Sequence, residues 1–265
     1  MLPTVVESRL DRFSAAMAKL GERPGNVRFH CGYLFDGISL QGKTMLDIGA
    51  GGGRCSFYAA CAGARRVVAL EPQAEGSRAD AVDRFSRTAR ELGLEQVGLV
   101  RHRLQDYEPR GEMFDIVLLG GSINHLDEEA CIRLQSDAAA QRTYRALFEK
   151  IAALTRPHGT LIVTDCSREN LFARLGITNP VARSIEWHKH QTPEFWAAML
   201  EEAGFSRPRI RWKSFNTLRR PGRLLLGNRL ACWCLTSEFC LTMERAVQAE
   251  APSAMDVRET PSVRC

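Results

Sequence analysis

Hydrophobic residues recur along this chain with two different spacings, and the change from one to the other predicts its elements. Near the N-terminus, apolar side chains are three or four residues apart, at Val6, Leu10, Phe13, Met17 and Leu20. This spacing predicts an amphipathic helix that ends before the Arg23-Pro24-Gly25 turn, followed by a short helical stretch near residues 29–35. Both precede the first compact apolar strand, at residues 43–48.

Between residues 43 and 164, short strands alternate with helices. The strands are expected at residues 43–48, 66–70, 97–102, 114–119 and 160–164, and the helices at residues 54–62, 75–92 and 142–154. A helix at 193–203 and strands at 207–212 and 238–243 follow, with a long insertion between these last two strands. Strands separated by helices predict an α/β fold with a mostly parallel sheet, wound by right-handed crossovers.

A glycine-rich turn after the first strand gives the strongest chemical signal. It reads Leu46-Asp47-Ile48-Gly49-Ala50-Gly51-Gly52-Gly53. Glycines placed between a strand and a helix let the backbone approach a ligand closely. About 20 residues later, Glu71 ends the second strand, where a carboxylate can accept hydrogen bonds from the ribose hydroxyls of an adenosine.

Two further acids bear on which adenosine cofactor is bound. Enzymes that bind NAD use a related glycine turn and an acid at the same topological place. Asp47, placed before the glycines, suits a sulfonium cofactor with an ammonium group better than an anionic pyrophosphate. Asp106, after the third strand, is placed to accept a hydrogen bond from the adenine amino group.

On these motifs the chain resembles the Rossmann-like (class I) S-adenosylmethionine-dependent methyltransferases, especially the branch that modifies small molecules. The likeness covers roughly residues 42–164 and is weaker to about residue 244. It implies a seven-stranded, mostly parallel sheet with helices on both faces and an antiparallel last strand. It also implies S-adenosylmethionine as cofactor and S-adenosylhomocysteine as product, bound by Asp47, Gly49, Ala50, Gly51, Gly53, Glu71, Pro72, Gln105, Asp106, Gly120 and Gly121.

The resemblance assigns roles to the cofactor contacts, and the sequence pattern divides the chain into parts. Asp47 and the glycines would hold the methionine end, Glu71 the ribose and Asp106 the adenine. Residues 1–40 are expected to form a helical lid and residues 41–248 the methyltransferase domain. Insertions near residues 166–192 and 216–236 would contact the substrate, and residues 249–265 form a tail expected to be disordered.

Three histidines are candidates for the chemistry of methyl transfer. The transfer requires an aligned nucleophile and, for a hydroxyl acceptor, removal of its proton. The candidate bases are His125, in the loop after the fourth strand, and His188 and His190, after the fifth. Each could equally orient a loop or lie exposed. The candidate substrate contacts are Phe29, Tyr33, Asn124, Trp187 and His188.

The net charge of the 265-residue chain is +5, and it is placed unevenly. Between Phe205 and Arg245 nine Lys or Arg residues face two Glu residues, a local charge of +7 that leaves −2 elsewhere. Such a segment can attract an anionic small molecule, RNA or a lipid surface, and it can equally be a solvated face or an insertion that covers the core.

The acceptor is expected to be the oxygen or nitrogen of a small molecule, such as a natural product, a sugar or a cell-envelope intermediate. An RNA methyltransferase is a weaker alternative, because no Asn-Pro-Pro-Tyr, Asp-Pro-Pro-Tyr or Pro-Cys motif follows the fourth strand. A third alternative is a module that binds S-adenosylmethionine without catalysis. The sequence does not indicate an oligomeric state.

Composition limits the compartment and the metal chemistry. Nine scattered cysteines, an odd number, favour reduced thiols over a disulfide framework. The chain has no apolar run of about 18 residues and no signal peptide pattern, so we expect a cytoplasmic protein without a transmembrane segment. No metal is expected, because His188 and His190 lack a nearby carboxylate pair.

Overall fold

The computed structural model of the protein describes residues 8–72, 79–213 and 215–247. These ranges contain seven strands: β1 (Thr44–Ile48), β2 (Arg66–Leu70), β3 (Val97–Val100), β4 (Phe114–Gly120), β5 (Thr155–Cys166), β6 (Phe205–Trp212) and β7 (Glu238–Arg245). They also contain ten α-helices: α1 (Arg9–Lys19), α2 (Pro24–Leu34), α3 (Arg54–Cys61), α4 (Ala81–Leu92), α5 (Glu128–Arg133), α6 (Ala138–Leu154), α7 (Leu171–Arg174), α8 (Pro193–Glu202), α9 (Arg219–Leu226) and α10 (Arg229–Cys234). Two short 3₁₀ helices cover Trp187–Lys189 and Asn216–Leu218.

All seven strands form one sheet, in the order β3-β2-β1-β4-β5-β7-β6. Strands β1 to β5 pair in parallel, whereas β7 runs antiparallel to both β5 and β6. The predicted α/β fold, with a seven-stranded, mostly parallel sheet and an antiparallel last strand, is therefore confirmed.

The carboxyl ends of the parallel strands meet at one edge of the sheet. Ile48 of β1 pairs with Leu70 of β2 and with Leu119 of β4, and Leu119 pairs with Val163 of β5. The loops that follow these residues therefore emerge side by side. In open α/β sheets, ligands bind at this edge.

Helices cover both faces of the sheet because successive residues of each strand point to opposite sides. Leu46 and Ile48 belong to an apolar cluster that contains Trp196 of α8 and side chains of α5 and α6. Met45 belongs to a second cluster, which contains Phe13 of α1 and side chains of α2, α3 and α4. Each face of the sheet is thus buried under its own layer of helices.

The N-terminal helices are part of the second cluster. Phe13 of α1 and Leu34 of α2 are fully buried. The guanidinium of Arg211, on β6, donates to the carbonyl oxygens of Tyr33 at 2.8 Å and Leu34 at 3.1 Å, and it lies 4.7 Å from the centre of the Tyr33 ring. These contacts join α2 to the edge strand β6. The lid role of residues 1–40 stays a prediction, and residues 1–7 lie outside the described ranges.

Two helices differ from the prediction. Helix α1 ends before Arg23-Pro24-Gly25 as predicted, but α2 begins at Pro24 and not near residue 29, because proline is favoured in the first turn, where a helix needs no amide hydrogen. Helix α5 is not predicted, because six residues are too few to establish an apolar period. Its N-cap is Asp127, whose carboxylate accepts a hydrogen bond from the Ala130 amide at 2.9 Å.

The fifth strand and the insertions also differ in detail. Strand β5 extends to Cys166, so Asp165 lies inside the strand rather than after it. The insertion at residues 216–236 contains α9 and α10, and the one at 166–192 contains α7. The first part of the helix predicted at 75–92 and the tail at 249–265 fall outside the described residues.

Membrane-spanning helices and disulfides are both absent from the part of the chain that the structure describes. No helix in these ranges combines the length and apolar character needed to cross a bilayer. Eight cysteines lie in the described ranges, and all are free thiols.

Trp196 provides a test of the packing between α8, α6 and the sheet. Its ring is fully buried, with the Tyr144 ring centre at 5.3 Å and the Phe148 ring centre at 5.8 Å. Replacing Trp196 by Ala should lower the free energy of unfolding by about 3–5 kcal/mol, measured by urea denaturation. Leu224→Ala is the control: Leu224 is 84% exposed, so its change should stay within about 0.5 kcal/mol. Similar small losses in both variants would contradict this account of the core.

Candidate functional site

The glycine turn after β1 forms a compact backbone cradle at the carboxyl edge of the sheet. Gly49, Gly51 and Gly53 have φ angles of 72°, 55° and 79°, which glycine adopts without the strain of a side chain. The amides of Gly49 and Ala50 both donate to the carbonyl of Leu70, at 2.9 Å. The turn is therefore fixed to the end of β2.

Two of these glycines also have no room for a side chain. A Cβ on Gly53 would lie 2.5 Å from an atom of the Phe85 ring and 2.6 Å from one of the Phe57 ring. A Cβ on Gly49 would lie 2.6 Å from the Cβ of Ser122. Gly53 is also the N-cap of α3. Helix α3 and the loop after β4 can therefore approach the turn closely.

Asp47 is a buried carboxyl group on β1, 1% exposed. The Ser56 hydroxyl donates to its Oδ2 at 2.6 Å. Burial raises the pKa of Asp47 to about 6, the Ser56 hydrogen bond opposes this shift, and the carboxylate of Glu71 adds to it. A carboxyl group that is costly to ionise in the free protein is stabilised in its charged form by a cationic ligand.

Glu71 follows β2 directly and lies against the same turn. Its side chain is 2% exposed, and its Oε2 accepts a hydrogen bond from the Gly51 amide at 2.7 Å. Pro72 is half-buried and precedes residues 73–78, which are not described. The two acids that the motif singles out are thus brought together at the glycine cradle.

The turn after β3 lies next to the loop after β4. Gln105 and Asp106 are exposed in this turn. The Gln105 side chain donates to the carbonyl of Leu126 at 2.7 Å, and its backbone carbonyl accepts from the ammonium of Lys150 at 2.8 Å. The turn that carries Gln105 and Asp106 therefore lies against the loop that follows β4.

The loop after β4 is bonded to the strands on both sides. Gly120 and Gly121 are exposed at its start, and the Gly121 amide donates to the carbonyl of Thr164 on β5 at 2.9 Å. The Ser122 hydroxyl donates to the carbonyl of Ile48 on β1 at 2.5 Å. These bonds hold the loop at the carboxyl ends of β1, β4 and β5.

His125 lies further along the same loop and has a carboxylate partner. Its Nδ1 lies 2.5 Å from Oε1 of Glu128, and its side chain is 39% exposed. Burial acts to raise the pKa of Glu128, but hydrogen bonds from His125 and Lys189 outweigh it and lower the pKa. Asn124 is buried beside His125, and its Oδ1 has no hydrogen-bond partner among the described residues.

His190 and Asp165 form a second and more buried pair. Nδ1 of His190 lies 2.7 Å from Oδ1 of Asp165, and the two side chains are 13% and 3% exposed. Oδ1 also accepts from the Cys166 amide at 2.8 Å, while Oδ2 has no partner among the described residues. Asp165 lies near the end of β5, so the pair is at the carboxyl edge of the sheet.

The other predicted acceptor contacts lie in the segment just before His190 and on α2. His188 is exposed and Trp187 is half-buried, in the 3₁₀ helix before His190. Phe29 is half-buried on α2, and the Tyr33 hydroxyl donates to the carbonyl of Trp212 at 3.2 Å. Tyr33 is 4% exposed and therefore offers little surface to a ligand.

Sequence reasoning missed several residues at this edge. Ser56, Ser122 and Asp165 carry no local signal, because their partners are distant in the chain. His30 of α2 is another example: burial and the nearby cations Lys213 and Arg54 lower its pKa to about 3. Its Nδ1 has no hydrogen-bond partner in the described part of the chain.

Metal ligands do not cluster in the described ranges. No group of three or more His, Cys, Asp or Glu side chains in residues 8–72, 79–213 and 215–247 could hold a metal ion.

Comparison with known proteins identifies the family. A family model described as a methyltransferase domain matches residues 9–207, which is most of the chain. The chain belongs to this methyltransferase family. The protein is accordingly an S-adenosylmethionine-dependent methyltransferase, as the glycine turn and its two acids predict.

Solved structures share the fold at low sequence identity. A methyltransferase from Aquifex aeolicus is 14% identical, with a TM-score of 0.57, covering 88% of this chain and 98% of its own. A putative methyltransferase from Listeria monocytogenes is 12% identical, with a TM-score of 0.56 and coverage of 84% and 99%. The [4+2]-cyclase SpnF is 16% identical, with a TM-score of 0.55 and coverage of 85% and 82%. Since one of these is a cyclase, the fold alone does not determine the reaction.

The residues present in the cradle fit S-adenosylmethionine. The glycine turn has no side chains that would prevent close approach, and two buried carboxyl groups, Asp47 and Glu71, lie beside it. A cation and a pair of ribose hydroxyls are the groups that such carboxylates bind. The assignment of each contact residue to a part of the cofactor stays a prediction.

The lack of room for a side chain at Gly53 predicts that a substitution there lowers the stability of the protein. Gly53→Ala forces a side chain into a positive φ and against Phe57 and Phe85. The free energy of unfolding should fall by about 2–4 kcal/mol, the sum of backbone strain and overpacking. Gly98→Ala is the matched control, because Gly98 has no atom within 4 Å of an added Cβ. Equal unfolding free energies for the two variants would show that the turn can relax without cost.

The raised pKa of Asp47 leads to a pH prediction. Its ordinary value is 3.8 and its folded value is about 6, so between these values the folded state holds more protons than the unfolded state. The contribution of Asp47 to the free energy of unfolding therefore falls as pH rises from about 4 to about 6. Asp47→Asn removes this pH-dependent contribution to the free energy of unfolding. Urea unfolding of both proteins at several pH values should show a smaller decline in the variant; parallel curves would contradict the assignment.

Proposed function

We propose that this methyltransferase methylates an oxygen or nitrogen atom of a small molecule, with His190 as the base that takes the proton of the acceptor and Asp165 as its positioning partner. One observation carries the proposal: the buried 2.7 Å hydrogen bond between these two side chains at the carboxyl edge of β5. An imidazole is a competent base near neutral pH.

The hydrogen bond to Asp165 defines the tautomer of His190. Because Nδ1 of His190 donates to the Asp165 carboxylate, the ring proton resides on Nδ1, and Nε2 keeps its lone pair. Asp165 also stabilises the positive charge that His190 acquires on taking a proton, as carboxylates do in other acid–base pairs. Low exposure of both side chains limits competition from water.

His125 is less suited to this role. Its side chain is 39% exposed, three times as exposed as that of His190. Its partner Glu128 also binds the ammonium of Lys189 at 3.2 Å, so the carboxylate is shared between His125 and Lys189. We therefore assign His125 to orienting the loop after β4, next to Asn124.

The cofactor contacts complete the proposal. Asp47 and the glycines would hold the methionine end of S-adenosylmethionine, Glu71 the ribose, and Gln105 and Asp106 the adenine. When bound, the cofactor supplies an activated methyl group. The residues of this chain align the acceptor and exclude water, and His190 holds at Nε2 the proton that the acceptor loses.

The pairing of the C-terminal arginines favours a small molecule over RNA. Arg207 binds Glu244 at 2.8 Å, Arg223 binds Asp36 at 2.6 Å, and Arg211 donates to carbonyls of α2. These cations are therefore partly used within the chain. Nucleic-acid binding instead depends on cations that are available to phosphates.

The test measures transfer of labelled methyl groups to a fractionated small-molecule extract. His190→Gln and Asp165→Asn should each lower the rate about 10²–10⁴-fold, since the base or its orientation is lost. The matched control is His188→Gln, two residues away and exposed, which should keep the rate. Calorimetry should give unchanged cofactor affinity in all three variants.

Other outcomes would overturn parts of the proposal. Equal rates in His190→Gln and His188→Gln would exclude His190 as the base. Label that enters bulk RNA instead would establish the RNA alternative, and cofactor binding without any label transfer would favour the non-catalytic module.

A further inference from the structure

A cavity of about 340 Å³ is lined by residues that follow β5, by the end of β6 and by α8 and α10. Its walls include the indoles of Trp212 and Trp233 and the side chain of Leu230. Three charged side chains, those of Glu169, Glu194 and Arg229, also line it. A cavity of this size, with mostly apolar walls and a few polar groups, is typical of small-molecule sites.

The cavity lies at the same edge of the sheet as the His190–Asp165 pair. Trp212 is the last residue of β6, and Ser167, which also lines the cavity, follows β5 two residues after Asp165. Glu194 lies in the first turn of α8, four residues after His190. A molecule held in the cavity would therefore lie at the same edge of the sheet as the proposed base.

The charged groups of the cavity are already arranged around one cation. The guanidinium of Arg229 lies 3.2 Å from Glu194, 3.8 Å from Glu169 and 5.9 Å from the centre of the Trp212 ring. Its side chain is 64% exposed. Two carboxylates and one guanidinium leave a surplus negative charge in the lining, and an indole face attracts cations further.

We infer that this cavity binds the acceptor through a flat unsaturated ring that bears a cationic amine, which displaces the guanidinium of Arg229. The inference rests on the proposed function and names its substrate class. The two indoles provide the apolar walls that a ring needs, and Glu194 and Glu169 provide the countercharge. An acceptor carrying carboxylate or phosphate groups would be repelled, which differs from the anionic acceptor considered from the sequence.

Three probes with the same ring distinguish a cationic acceptor from a neutral or an anionic one. They are tryptamine, which is cationic, indole, which is neutral, and indole-3-acetate, which is anionic. Calorimetry on the full chain with S-adenosylhomocysteine present should give tryptamine an affinity at least about tenfold above that of indole-3-acetate, with indole between them. Equal or tighter binding of indole-3-acetate, or no tryptamine binding up to about 5 mM, would overturn the inference.

Two variants test the displacement of Arg229. Glu194→Gln should weaken tryptamine binding about fivefold, because one charged hydrogen bond is lost. Arg229→Gln should strengthen it, because the competing cation is removed. Glu202→Gln is the control: it lies at the other end of α8, is paired with Arg145 outside the cavity, and should leave binding unchanged. Weaker tryptamine binding in Arg229→Gln would contradict displacement.

Failure of this inference can be told from failure of the proposed function. Methyl transfer that depends on His190, in a protein without preference for tryptamine, would leave the proposed base in place and reject the amine acceptor. The reverse result, a tryptamine preference without His190-dependent transfer, would support the amine site and reject the proposed base.

Discussion

Parallel pairing of β1 with β2 on one side and β4 on the other is the constraint on which the site depends. It brings three chain segments, which are separate in the sequence, to one edge of the sheet. The amides of the glycine turn bond to the end of β2, and Ser122 bonds the loop after β4 to the end of β1. The ligand cradle is therefore fixed to the carboxyl ends of β1 and β2 by hydrogen bonds additional to those between the strands.

The burial of Asp47 follows from this central position. A strand that is paired on both sides and covered on both faces gives a carboxyl group little access to water, and α3 provides the Ser56 hydroxyl as a partner. The free protein thus holds this group at an energetic cost, which a bound cation lowers. This is a physical reason for a preference for a sulfonium cofactor with an ammonium group over a dinucleotide.

The sequence predicts the features that depend on local pattern. The bounds of β2 agree with the prediction, and those of β1 and β4 agree within one residue, because apolar runs bounded by polar residues define buried strands. The cofactor motif is equally local. The extension of β5 is missed because Pro157, His158 and Gly159 interrupt its pattern. The His190–Asp165 pair and the cavity lined by Trp212 are missed, because each joins segments that are separate in the sequence and that only the fold brings together.

The bonds from Arg211 to the carbonyls of α2 connect the beginning of the chain to its second-last strand. During synthesis the glycine turn emerges early, but the side chain that anchors its neighbouring helix emerges some 160 residues later. Contacts between residues this far apart in the sequence form late in folding. Closing the long loop between them costs conformational entropy before the contacts themselves stabilise the chain. A ribosome-bound chain that ends before β6 would therefore carry the complete cofactor motif and still lack the bonds that join α2 to the edge strand of the sheet.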